Sequence, residues 1–260
     1  ISIGPFSLQP SELAKIGIIL FLAAYISSKS REMRQWKKMV IPFLFAIPII
    51  VIVGIENLST CIILLAISFI MIFVATPLWV PFVVIGLIGV AGAGGLLLTQ
   101  GYRMERITVW LDPAASEKGH QTIQGLYAIG SGGLFGKGLG QSMQKLGFLP
   151  EANNDMIFSV ICEELGLFGA LCVLALFFAL IWRFMVIAVN APDLYGSMIV
   201  VGVIAHIGIQ VFINIAVATN TIPNTGIPLP FISYGGSSLV FMLLEMGLVL
   251  SVSRYINVKK

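Results

Sequence analysis

Seven stretches of this chain are each apolar enough, and roughly long enough, to cross a lipid bilayer as a helix. No other feature limits its fold so tightly. About 20 mainly apolar residues cover a ~30 Å hydrocarbon core. The runs are Leu13–Ser28, Met39–Gly54, Thr60–Ala75, Val80–Leu98, Met156–Val186, Met198–Ala218 and Leu239–Val252, with polar punctuation between them. A buried core helix can be as apolar, but a water-soluble globule of 260 residues could not hide seven. The chain is 58% hydrophobic and 10% charged, against about 25% charged in an ordinary soluble domain. Its mean hydropathy is +0.99. These values exclude a soluble enzyme, a disordered protein and a nucleic-acid-binding domain. The expected fold is all-α: one polytopic membrane helix bundle over residues 1–260, with about seven transmembrane helices.

Lys and Arg near the span ends predict the orientation. The loop Ser28–Lys38 carries Lys29, Arg31, Arg34, Lys37 and Lys38, the tail carries Arg254, Lys259 and Lys260, and Arg183 ends the fifth run. With each run crossing once, these fall on one side, expected to be the cytoplasm. Ile1–Glu12, Ile55–Ser59, Gln100–Asn154 and Thr219–Ser238 then face outward. The net charge of +3 adds little. Cys61, Cys162 and Cys172 lie in apolar runs at no metal or redox spacing and are expected to face lipid or pack in the core.

The outward loop over residues 100–154 is anomalous, because loops beyond roughly 12–15 residues usually carry function. Its middle, Gly130–Gly140, has six glycines in eleven residues. Ile123–Ile129 is expected to form a short surface helix and Gln141–Phe148 a second amphipathic piece. The other outward loop, Asn220–Ser238, is rich in Pro and Gly yet still fairly apolar, so it cannot be a regular helix. Irregular backbone at membrane depth survives only in protein or beside a wet cavity. A re-entrant segment walling a cavity is therefore expected.

Several residues offer chemistry. Asp155 stands where the long loop meets the fifth span. Partial desolvation there raises a carboxyl pKa and suits a general base, while a helix N-cap is the structural alternative. Glu151, four residues earlier, would share a helical face with Asp155 and could join it in holding a divalent cation, unless it is only a solvated loop residue. Glu163 and Glu164 lie inside the fifth span, where charge is costly. His206, Gln210 and Asn214 share a face of the sixth span, where polar groups usually bind helix to helix; Glu245 in the last span is of the same kind. Lys137 and Lys145, with Arg103 and Arg106, supply positive charge, and glycine backbone donors around Lys137 suit an anion such as phosphate. The stretch is not a Walker A motif, since Ser131 and Gly138 break the pattern. No protease, hydrolase or metal-ligand motif occurs.

Taken together, Gly4–Lys15 (GPFSLQPSELAK), Ile55–Thr60 (IENLST), Ile123–Gly140, Gln144–Phe158 (QKLGFLPEANNDMIF), Glu163–Gly169 (EELGLFG) and Pro223–Ser238 (PNTGIPLPFISYGGSS) resemble the SEDS family of FtsW, RodA and SpoVE. The match runs in order along the whole chain and sits closer to the FtsW/SpoVE branch. Family members resemble ten-span proteins, so this chain corresponds to spans four to ten. The resemblance implies a peptidoglycan glycosyltransferase that polymerises lipid II at the outer face of the bacterial cytoplasmic membrane. It matches the family's essential acid to Asp155 and places Asp112 second. The implied substrate contacts are Lys137, Lys145, Gln144, Glu151, Arg103, Arg106 and Ser237. The candidate metal positions are Glu151 and Asp155, for magnesium or manganese. The chain departs from the common pattern at Asn153 and Asn154, at Gly147, at Thr225 and in IENLST.

The expected partners are lipid II, a class B penicillin-binding protein and membrane proteins of the divisome or elongasome, with no nucleic acid. Two rival functions remain at this stage. A lipid flippase would run its path through Glu163, Glu164, Glu245 and His206; a non-catalytic scaffold would recruit the penicillin-binding protein.

Overall fold

A computed structural model of the protein describes residues 2–3, 6–7, 9–76, 83, 86, 101–116 and 119–256. Their regular structure is helical, apart from a two-residue antiparallel ladder pairing Ser2 with Ser7 and Ile3 with Phe6. The helices are α1 (Pro10–Ser28), α2 (Trp36–Glu56), α3 (Leu58–Ala75), α4 (Gly101–Leu111), α5 (His120–Gly132), α6 (Ile157–Asn190), α7 (Leu194–Ala218) and α8 (Gly236–Arg254). Six of these are long and apolar enough to cross a membrane: all but α4 and α5. They coincide with six of the seven runs. The seventh, Val80–Leu98, lies outside the described residues.

The chain gathers into two compact units. Residues 1–86, 179–209 and 236–260 form the first, and residues 87–178 and 210–235 the second. In the first unit, Pro10 opens α1 at a position where its missing N–H costs nothing. The Asn57 side chain caps α3 by accepting from Thr60 N at 3.1 Å. Ile18, Ile19, Leu22 and Ile26 of α1 are buried. Close packing needs Gly202 on α7: a Cβ there would meet Ile19 Cγ2 at 2.6 Å. Leu44, Phe45 and Ile52 of α2 are 61–67% exposed, as a lipid-facing surface requires. Two buried polar pairs lie in this unit: Lys15 Nζ with Glu12 at 2.7 Å within α1, and His206 Nδ1 with Glu245 at 2.9 Å between α7 and α8.

In the second unit the fifth run is not one straight span. Gly166 interrupts α6 with φ 67° and ψ −167°, a conformation open essentially to glycine alone. The long loop is also largely ordered. It holds α4, a 3₁₀ turn Pro113–Ala115 and α5, which extends beyond the expected Ile123–Ile129 at both ends. The amphipathic piece expected over Gln141–Phe148 is only a 3₁₀ turn, Gln144–Leu146. Residues 221–235 are non-helical as expected. Gln210 Nε2 donates to Pro228 O at 3.0 Å and Asn214 Nδ2 to Ile227 O at 2.8 Å, so these α7 amides fasten the irregular segment.

Candidate functional site

Asp155 lies in the turn, residues 151–156, that precedes α6. Asn214 Nδ2 donates to its backbone carbonyl at 2.8 Å. The segment before it is tied to the Pro/Gly-rich loop: Tyr234 N donates to Asn153 O at 2.8 Å and Ser233 Oγ to Asn154 O at 2.6 Å. The backbone is thus held at Asn153, Asn154 and Asp155 itself, by bonds that leave the Asp155 carboxylate to other partners. There it meets Gln121, in the first turn of α5, whose Nε2 lies 3.4 Å from each carboxylate oxygen. Gln121 Oε1 in turn accepts from Asn224 Nδ2 at 3.2 Å, and Asn224 O accepts from Arg106 at 3.0 Å. A relay Arg106–Asn224–Gln121–Asp155 results, drawn from α4, the irregular loop and α5.

These groups border a hollow of about 420 Å³, lined by Glu105, Arg106, Val109, Trp110, Gln121, Thr122, Asp155, Asn220, Asn224 and Gly226. Trp110 Nε1 donates to Asn220 O at 3.0 Å, which fixes the indole and leaves its face as wall. Burial pushes the Asp155 carboxyl up from 3.8 to about 6. The negative charge of Glu151 adds to the rise, while its own backbone N–H, Gln121 and Arg106 oppose it. A half-ionised acid beside a polar hollow can take a proton near neutral pH. The irregular loop supplies Asn220, Asn224 and Gly226, so the expected cavity wall is present.

Several expectations need correction. Glu151 does not share a helical face with Asp155, because α6 begins only at Ile157 and Glu151 sits in a turn at φ 53°. Its carboxylate accepts from Asn154 Nδ2. Among the described residues no group of three or more His, Cys, Asp and Glu is placed to hold a metal. No step is derived through a divalent cation. The glycine stretch is not an anion cradle either. Lys137 N and Gly138 N donate to Glu163 O and Glu164 O, both at 2.9 Å, and Gly136 N to Gly132 O at 2.8 Å. Lys137 pairs with Glu163 at 2.7 Å and Lys145 with Glu164 at 2.5 Å. Neither lysine lines the hollow.

The glycine stretch and the residues after it form a strap against α6, and Gln144 belongs to it, its N donating to Glu163 Oε2 at 3.3 Å. Ser237 lies in the first turn of α8, in the first unit. Arg103 is on α4, but its side chain lies outside the described residues. Asp112 caps the 3₁₀ turn by accepting from Ala115 N at 3.2 Å. Sequence reasoning missed Gln121, Asn224, Asn220 and Trp110, which are neutral and distant in sequence from Asp155. The only available signal was that they fall inside the two loops already singled out.

The profile of the FtsW/RodA/SpoVE family, described as cell cycle protein, matches residues 1–258. Stage V sporulation protein E of Bacillus subtilis (strain 168) is 48% identical over 261 residues, covering 98% of this chain and 71% of that protein. The probable peptidoglycan glycosyltransferase FtsW of Geobacter sp. (strain M18) is 36% identical over 252 residues, 95% of this chain and 69% of that one. Among solved structures, a chain from a peptidoglycan synthase complex, described as coordinating polymerization and crosslinking, superposes with a TM-score of 0.80. It is 28% identical and is matched over 100% of this chain and 74% of its own length. The rod shape determining protein RodA of Thermus thermophilus gives 0.69 at 30% identity, over 98% of this chain and 69% of its own.

Proposed function

The chain belongs to the FtsW/RodA/SpoVE family of multi-pass membrane proteins, and on that premise we propose that it is a peptidoglycan glycosyltransferase with Asp155 as its general base. The observation that carries the reading is the placement of Asp155 on the wall of a polar hollow, with burial lifting its carboxyl to about 6.

Asp155 takes the proton from a sugar hydroxyl of the acceptor, the 4-hydroxyl of a lipid II molecule. The freed oxygen attacks the anomeric carbon of the donor glycan. The C–O bond to pyrophosphate breaks with inversion, and undecaprenyl pyrophosphate departs with the bonding pair. Gln121 orients the carboxylate. Asn220, Asn224 and Glu105 are positioned to take sugar hydroxyls, and the Trp110 face to take the apolar side of a sugar ring. Arg106 is a cation at the hollow that meets negative charge developing on the leaving group, an electrostatic contribution. Lys137 and Lys145, already paired, act instead through the strap they fasten.

We place the hollow on the outer side of the cytoplasmic membrane, opposite the basic loop at Lys29–Lys38, and take a class B penicillin-binding protein as the partner. A transport path is less well supported, because the intramembrane acids are engaged locally: Glu163 and Glu164 with strap lysines, Glu245 with His206.

The test is polymerisation of lipid II by purified protein in proteoliposomes, with its partner, read as glycan length on gels. Asp155→Asn is expected to lose about 10²–10⁴ in rate, the usual contribution of a positioned base. Wild-type-like polymerisation by that variant would remove Asp155 from the role. Failure of the native protein to polymerise lipid II would overturn the activity itself.

A further inference from the structure

The interruption of α6 leaves backbone groups that a helix would have paired. Glu163 O and Glu164 O lose Leu167 N and Phe168 N as donors. The glycine strap replaces each of them. Lys137 N and Gly138 N donate to those two carbonyls at 2.9 Å, while Leu167 N and Phe168 N donate to Gly133 O and Leu134 O at 2.9 and 3.0 Å. The fit is backbone against backbone. A Cβ on Gly132 would lie 1.9 Å from Cys162 O, and one on Gly136 2.2 Å from Glu164 O.

The depth of this junction follows from the sequence of α6. Between Glu164 and Arg183 the helix holds eighteen uncharged residues, Leu165–Trp182. At 1.5 Å per residue they span about 27 Å, close to the ~30 Å hydrocarbon core. Phe168, whose amide reaches Leu134, lies about 5 Å inside one end of that stretch. Non-helical backbone at such depth needs its polar groups paired by protein, which is what the exchange with α6 provides.

The strap's side chains reverse the usual pattern of a watery loop. Leu134 is 65% exposed, Phe135 80% and Leu139 75%, while its charge is neutralised inward, Lys137 on Glu163 and the following Lys145 on Glu164. The exposed apolar surface is continuous with α6 beyond the break, where Leu167, Phe168 and Leu171 are 52–64% exposed on a spanning helix.

We propose that residues 133–139 form a re-entrant wedge that dips into one leaflet and lays Leu134, Phe135 and Leu139 against lipid acyl chains. The partner of this surface is the bilayer itself, and the inference stands apart from the enzymatic reading.

The test is nitroxide labelling of the full chain in phospholipid vesicles, with Cys61, Cys162 and Cys172 replaced by alanine and one cysteine added back. Phe135→Cys and Leu139→Cys are the probes, Leu171→Cys the lipid reference and Lys29→Cys the water reference. The readout is the ratio of collisions with oxygen, which partitions into acyl chains, to collisions with a water-soluble nickel chelate. The expected ratio at 135 is several-fold above that at 29 and approaches that at 171. A ratio at 135 matching position 29 would place the strap in water and overturn the proposal. Protection from both quenchers would show a protein cover, and overturn it equally. Leu139→Cys gives the same decision if the label at 135 disturbs the strap.

Discussion

At Asp155 the balance of charges decides in which pH range a base is available. Burial disfavours the ionised carboxyl, Glu151 disfavours it further, and Gln121 and Arg106 favour it. As the proposed base, Asp155 works when deprotonated, so polymerisation is expected to fall as pH drops through about 6. Gln121→Ala removes the Nε2 donor shared by both oxygens of the charged form and so raises the carboxyl further. The acid limb of the kcat–pH profile is then expected to move to higher pH, with a rate loss at neutral pH that is recovered in part by raising the pH. An unmoved limb would reduce Gln121 to a structural role. Asp155 was legible in the sequence because it lies in a family motif; its position alone suited a helix cap as well. Gln121 was not: a helical glutamine carries no sign of a partner 34 residues away.

The elements show where hydropathy succeeds and where it fails. Spans were legible because membrane insertion depends on apolar content summed over a helix length, and six of them stand as expected. The proline-rich segment was legible as irregular over residues 221–235 because proline cannot be fitted into a helix interior; residues 236–238 of the expected segment already belong to α8. The break at Gly166 was invisible, since one glycine among leucines leaves the apolar run unchanged, and its φ of 67° is stabilised by a strap thirty residues earlier. Lys137 and Lys145 misled for the same reason, because a lysine among glycines suits an anion until its carboxylate partner is known. The partner of Lys137 is the fully buried Glu163. It also accepts from Ser142 Oγ at 2.5 Å and from Met143 N at 3.3 Å, so the pair sits in a network rather than alone. Gly166→Ala is expected to destabilise the protein by about 3 kcal/mol, from backbone strain plus a Cβ against Gly136 N. Thermal unfolding in detergent measures this, and a Tm equal to that of the native chain would contradict the strap geometry.

On the scale of the molecule, composition alone set the class: so apolar a chain has to use lipid as its solvent. The distribution of Lys and Arg then predicts its direction in the membrane. The proposed orientation places Ser30, in the basic loop, on the opposite side from Asp155. A Ser30→Cys protein, with the native cysteines replaced, is expected to react with a membrane-impermeant maleimide in inverted vesicles but not in intact cells. Labelling in intact cells would reverse the orientation and place the hollow on the side where the proposed lipid-linked substrate is not polymerised. The motifs reached the family and its activity class, whereas the arrangement of the hollow needed the fold, because its walls come from α4, α5 and the loop after α7.

The exchange of backbone bonds at Gly166 also turns the start of α6 into a rod of set length. The rod runs from the acid's turn to the strap junction, and neither end can slide. One residue inserted between them would lift the acid by about 1.5 Å and swing it about 100° around the helix axis, away from Gln121. Surface loops of this protein can lengthen or shorten, but this short segment is a gauge that tolerates neither.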